Sequence, residues 1–290
     1  MHARTPKNFV LEERLERYAD AIELCPRAYA GRWAEACWPL DAVQGVPAAG
    51  EAPTARPRAR GFERVVLDLG CGKGIFACEA AAAEPTSLFV ALDAEPLCIA
   101  YAAQHVCEAQ LRNVVVVPWD GARVTEVFGP GEVSRIHLNF PTPFPRKKEA
   151  RKRMTSARQL MAYRRILAPG GTVELRTDSE PLFAFTRVQL QLAGYELLWA
   201  SDDLRAERPD GPGSEYERKL AAQGAKVHAL CAVPGPEPAS FEEPAPESLM
   251  DYLPDDLTTM DLSYLPHGMA AGIVNFRNRD LRRARKQRRA

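Results

Sequence analysis

Short, nearly unbroken apolar runs alternate through the middle of the chain with segments whose apolar positions recur every three or four residues. Val65–Leu69, Leu88–Leu92, Val114–Val117 and Ile136–Phe140 have the length and β-branched content of strands. Ile75–Ala83, Glu95–Glu108 and Arg158–Leu167 carry the helical period. A Pro-Gly-Gly turn at 169–171 precedes a strand at Thr172–Thr177 and a helix at Pro181–Ala193. Glu196–Ala200 and Val227–Cys231 complete the series as late strands. Strands without polar alternation are buried on both faces, so the pattern predicts an α/β fold. The expected architecture is a mostly parallel, doubly wound sheet with helices on both faces. Ahead of it, residues 7–24 show the spacing of an amphipathic helix, and no internal repeat is present.

The flanks differ from this centre. Residues 43–60 are rich in Pro, Gly and Ala and read as a linker or long loop. From 234 to 268 a thin apolar scatter lies among Pro and acids, which predicts a linker with little core of its own. Three regions follow: a helical segment with linker at 1–60, a catalytic-type α/β domain at 61–233, and a poorly ordered acidic linker with a basic tail at 234–290. The formal net charge of zero conceals segregation. Residues 237–261 hold eight acids and no Lys or Arg, whereas 277–290 hold eight bases against Asp280 alone. The seven cysteines form no CxxC pair, which fits reduced thiols in a cytoplasmic protein and argues against a zinc site or a disulfide framework. There is no apolar run of about 18 residues to span a membrane, and the charged N-terminus lacks the apolar core of a signal peptide.

Two constellations carry candidate chemistry. Asp68-Leu-Gly-Cys-Gly-Lys-Gly74 joins a buried strand to a helix, and Gly70, Gly72 and Gly74 permit a tight turn with close backbone approach to a ligand. Asp93 ends the next strand, where a carboxylate can accept from ribose hydroxyls, and Asp120 follows the third, placed to face an adenine edge. Either acid can instead be an ordinary helix N-cap. The second constellation is the run Asn139-Phe-Pro-Thr-Pro-Phe-Pro-Arg146, after which six cations fall within eight residues: Arg146, Lys147, Lys148, Arg151, Lys152 and Arg153. A rigid loop at a strand's carboxyl end beside dense positive charge suits a polyanionic substrate, nucleic acid first.

Three strands ending in acids resemble the class I S-adenosylmethionine-dependent methyltransferases, with their Rossmann-like fold. The loop itself resembles the signature of the bacterial tRNA (guanine-N7)-methyltransferases, FPDPWPK followed by His and KRR. Thr177-Asp178 matches the family's strand-ending TD, and Ser214-Glu-Tyr216-Glu217 its T-x-[FY]-E. The likeness spans roughly 62–231. It implies S-adenosyl-L-methionine as cofactor, held by Asp68, Gly70, Gly72, Gly74, Asp93 and Asp120. It also implies tRNA as partner, with the variable-loop guanosine as target and no metal. Arg146, Lys147, Arg151, Lys152 and Arg153 would meet phosphates, and Asp178, Ser214, Tyr216 and Glu217 the base. Thr142 stands where the family has Asp, Phe144 where it has Trp, and Glu149 where it has His. The reacting centre would then comprise Thr142, Asp178 and Glu217. A drifted RNA substrate, or a catalytically weak tRNA-binding protein, remains open beside full activity, and so does the choice of monomer or homodimer.

Overall fold

Val65 to Leu69 are all at most 1% exposed, so this run can only be a strand covered on both faces. The computed structural model describes residues 9–37, 39–40, 61–258, 262, 264–266 and 268–287. Its strands are β1 (Arg64–Leu69), β2 (Ser87–Asp93), β3 (Val114–Pro118), β4 (Val133–Asn139), β5 (Leu167–Thr177), β6 (Tyr195–Ser201) and β7 (His228–Pro234). Hydrogen bonding orders them β3-β2-β1-β4-β5-β7-β6. β1 runs parallel to β2 and β4, β2 parallel to β3, and β6 antiparallel to β7. The helices are α1 (Leu11–Arg17), α2 (Trp33–Ala36), α3 (Ile75–Ala83), α4 (Pro96–Glu108), α5 (Ala157–Ile166), α6 (Glu180–Leu192), α7 (Leu204–Glu207), α8 (Glu215–Ala222) and α9 (Ala270–Gln287). The expected mostly parallel α/β sheet is therefore present. The turn expected at 169–171 instead lies inside β5, with Gly170 at φ 74°.

Contacts divide the chain into two compact units. The first holds the described residues of Met1–Asn139, Ala162–Glu174 and Gly211–Glu215. In its core Val66, Phe89, Ala91, Val114 and Val116 pack against Phe76, Ala77, Ile99, Ala103 and Val106 from α3 and α4. The N-terminal segment joins that core. Ile22 bridges Val116 in parallel, the Glu23 amide donates to the Val116 carbonyl at 2.9 Å, and Leu15, Tyr18 and Ile22 pack on the cluster. The helix expected over 7–24 ends at Arg17 and resumes only as a 3-10 turn at Ala19–Ala21, because the chain must straighten at Ile22 to meet the sheet edge. Trp33 is fully buried and its indole N–H donates to the Val127 carbonyl at 2.7 Å. The linker expected at 43–60 lies outside the described residues.

The second unit holds Phe140–Met161, Leu175–Asp210 and the described residues of Tyr216–Ala290. One of its clusters joins Leu182 and Phe185 of α6 to Leu249, Met269 and Ile273. This differs from the coreless linker and poorly ordered tail expected beyond 234. The buried residues Leu249, Leu257, Met269 and Ile273 are too far apart for any period to show, yet each finds an apolar partner or a covered position. Residues 277–287 of the basic tail continue α9, and 288–290 lie outside the described residues.

Candidate active site

β1 and β4 are neighbours, and the connections leaving their other sides run to opposite ends of the sheet. Their adjacent carboxyl ends are thus the topological switch point, where open α/β sheets leave a crevice for ligands. At the end of β1, Gly70, Gly72 and Gly74 take φ of 76°, 54° and 73°, the left-handed region that favours glycine. A Cβ on Gly74 would lie 2.7 Å from that of Ala102, so the packing of α3 on α4 excludes any side chain there. A Cβ on Gly72 would meet nothing within 4 Å, leaving an open surface above the turn. The Gly72 amide donates to Asp93 Oδ2 at 2.9 Å, and the Glu95 amide to Oδ1 at 2.9 Å. Burial raises the Asp93 pKa above its ordinary 3.8, and these backbone bonds oppose the shift. Asp68 is 1% exposed and accepts from the Asn139 side-chain amide at 3.1 Å.

Asp120 behaves as the N-cap weighed from the sequence: exposed, it accepts from the Ala122 amide at 2.9 Å. Ser214 belongs with the Gly-rich turn, since its neighbour Gly213 donates to Glu79 at 3.1 Å and Glu215 pairs with Lys73 at 3.3 Å. Cys71, Cys78 and Cys98 surround this turn, and burial pushes all three thiols up, Cys78 to about 12 and Cys98 to about 11. They are protonated at neutral pH and offer no nucleophile.

The second unit contains the signature loop. Phe140 and Phe144 adopt φ of 51° and 46°, which bulky L residues rarely do. Strain of this kind persists only where the surroundings impose it. The Phe140 amide donates to the Arg176 carbonyl at 2.8 Å, and its ring meets Tyr216 edge-on at 5.3 Å. The Pro145 carbonyl accepts from Ser248 Oγ at 3.1 Å and from the Leu249 amide at 3.0 Å.

Arg153 corrects the expectation of a phosphate contact. It is 1% exposed, and its guanidinium donates to the carbonyls of Pro143, Phe144 and Glu247 at 2.9–3.2 Å while lying 4.7 Å over the Phe185 ring. Its planar fork supports the loop from within. Arg151 is exposed but pairs with Glu243 at 3.5 Å. Arg146, Lys147 and Lys152 are exposed, the last with its ammonium 5.7 Å from the centre of the Phe144 ring, and Thr142 is exposed as well.

Asp178 does not cap α6; Ser179 does, accepting from the Leu182 amide. Asp178 Oδ2 instead accepts a hydrogen bond from the Tyr264 hydroxyl. Tyr216, 37% exposed, has its hydroxyl pKa pushed up to about 12 by burial and then by the Asp178 charge. Glu217, expected at the base, is 1% exposed and bridges Arg205 at 2.5 Å and Arg176 at 3.3 Å. Its carboxylate is spent inside the fold, and Tyr216 is the exposed member of that motif.

Residues 63–230 match the model of a methyltransferase family whose description reads "Putative methyltransferase". The tRNA (guanine-N(7)-)-methyltransferase of Lactococcus lactis subsp. cremoris (strain MG1363) is 34% identical over 167 residues, covering 57% of this chain and 77% of that one. That of Geobacillus kaustophilus (strain HTA426) is 34% identical over 175 residues, covering 60% and 81%. That of Clostridium novyi (strain NT) is 32% identical over 170 residues, covering 58% and 79%. The chain belongs to the tRNA (guanine-N7)-methyltransferase family. The family match runs from the approach to β1 into β7 and stops well short of α9.

Sequence reasoning did not single out Asn139, Arg176, Arg205 or Tyr264. Asn139 stood first in the signature run, and its place at a strand end beside Asp68 was the available signal. Tyr264 gave none, being isolated among acids and prolines. Among the described residues no group of three or more His, Cys, Asp or Glu is placed to hold a metal ion. No described helix is long and apolar enough to cross a membrane.

Proposed function

We propose that this protein transfers a methyl group from S-adenosylmethionine to N7 of a guanosine in tRNA, in the cytoplasm, with the variable-loop guanosine as target. The observation that carries the reading is the switch point itself. The Gly70–Gly74 turn and the signature segment leave adjacent parallel strands, β1 and β4, in a chain of this family.

The residues present fit the cofactor. Gly72 leaves room at the turn, and Asp93 is already fixed by two backbone amides at a strand end, oriented to accept ribose hydroxyls. Asp68, braced by Asn139, stiffens the turn from below, and Asp120 offers a carboxylate at the edge of the adenine side. When bound, S-adenosylmethionine supplies an electrophilic methyl group on a sulfonium.

Guanine N7 carries an in-plane lone pair and needs no base to deprotonate it, so the protein's work is positioning and electrostatics. Asp178 accepts from N1–H and the N2 amino group, directing N7 away from the carboxylate. Phe144 and Tyr216 offer aromatic surfaces on which a base stacks. Thr142 orients the base through its hydroxyl and contributes no charge. Glu217 acts indirectly, fixing Arg176 and Arg205. Arg146, Lys147 and Lys152 contact phosphates, with Arg151 joining on release from Glu243.

The test incubates tRNA with protein and cofactor, then maps N7-methylguanosine by reduction and aniline cleavage. One cleavage, in the variable loop, is expected. Cofactor binding without cleavage at any guanosine would sink the activity, and cleavage elsewhere would move the target.

A further inference from the structure

α9 lies beyond the family match and is 18 residues long, about 27 Å of helix. One of its faces is consumed by the fold. Ile273 and the preceding Met269 are buried against Leu182 and Phe185, and Arg277 donates to the carbonyls of Leu257 and Thr258 at 3.2 and 3.4 Å. Another face is a polar and cationic stripe. Asn275, Asn278, Arg279, Arg282, Arg283 and Lys286 recur at three- and four-residue intervals and together line one open groove. Among the described residues, Arg282, Arg283 and Lys286 have no carboxylate within 4 Å.

Among the described residues, acids of the 237–261 stretch find their partners elsewhere. Glu243 serves Arg151 and Arg158, Glu247 accepts from the Tyr252 hydroxyl, Asp251 closes a capping box with Ser248, and Asp256 accepts from the Thr258 amide. Among the described residues, Arg282, Arg283 and Lys286 thus stand in a row on α9 without a carboxylate partner, whereas Arg279 pairs with Asp280 at 3.5 Å.

We infer that α9 is a second RNA-docking surface, whose Arg279–Lys286 stripe grips the phosphate backbone of the bound tRNA away from the reacting guanosine. This rests on the reading of tRNA as substrate. Two features favour RNA over an anionic lipid surface. A helix that lies on a membrane inserts its apolar face, and here that face is already packed against α6. Asn275 and Asn278 flank the cations with amides able to bond phosphate and 2′-hydroxyl groups, which a ribose backbone presents alternately.

The test uses the full-length protein carrying Arg282→Gln, Arg283→Gln and Lys286→Gln together, with fluorescently labelled tRNA across a salt series. Removing three phosphate contacts lowers the slope of log affinity against log salt by about 2–3 and weakens binding about tenfold or more near 0.1 M salt. Turnover at saturating tRNA stays unchanged, since the stripe does not touch the base. The charge-conserving variant Arg282→Lys with Arg283→Lys keeps the wild-type slope, which a merely misfolded α9 would not do. Unchanged slope and affinity in the Gln variant overturn the inference. So does loss of binding to phosphatidylserine vesicles with tRNA binding intact, which would assign the stripe to a lipid surface. A protein that binds tRNA through the stripe yet methylates nothing keeps the inference and discards the proposed activity.

Discussion

Two carboxylates of the candidate site have opposite fates here, and their surroundings decide which. Asp93 is half-buried, with each oxygen facing a backbone N–H, so it is fixed before any ligand arrives. Burial raises its pKa above 3.8, and only the ionised form accepts ribose hydroxyls through both oxygens. Cofactor affinity should therefore be full at neutral pH and fall on acidification at a pH higher than an ordinary Asp would give. Titration calorimetry between about pH 4 and 7 checks this, and Asp93→Asn should bind weakly at every pH, without that limb. Glu217, by contrast, lies under Arg176 and Arg205, where Glu217→Ala leaves two cations partly buried without their anion. A loss of about 3–5 kcal/mol of stability is expected, read as a lowered midpoint in urea. The sequence pattern marks such acids as candidates but carries no sign of which cation each will meet. Glu217 and Arg205 are close in the chain; Arg176 is not.

Strands and helices of the central sheet were legible because each must cover or be covered, and burial on both faces leaves a run of Val, Leu and Ile. The signature loop obeys another logic. Its conformation depends on Arg153, whose partners are the carbonyls of Pro143, Phe144 and Glu247, groups that every residue possesses and no sequence pattern marks. That is why a cation in a basic run reads as an RNA contact while serving the loop instead. Arg153→Lys retains the charge but not the fork, so one ammonium must replace a guanidinium spanning three carbonyls. The variant should keep cofactor affinity, because the Gly-rich turn is untouched, while kcat/KM for tRNA falls about 10- to 100-fold as the loop loses its geometry. Equal losses in cofactor binding would show that the damage is not confined to the loop.

At the scale of the molecule, the segment after β7 is the part that sequence reading misjudged. Its composition is that of a linker, yet Leu249, Met269 and Ile273 close a cluster with α6, and Tyr264 reaches Asp178. A few anchors separated by long polar stretches order a chain without leaving a period behind. Ile273→Ala should cost about 2–4 kcal/mol, and the loss should be local. Hydrogen exchange should accelerate across α9 and the 249–257 segment, while the amides of β1 and β2 keep their protection. Uniform acceleration through the sheet would instead make the C-terminal segment part of one cooperative unit.

The two left-handed phenylalanines set a limit on how far this protein can be stabilised without harm. Phe144→Gly would relieve an unfavourable backbone conformation worth about 1–2 kcal/mol, while removing an aromatic face and freeing the turn around it. The thermal midpoint would then change little or even rise as turnover on tRNA drops. Selection for heat resistance alone would drift toward glycine at this position, and selection for activity would hold the ring in place.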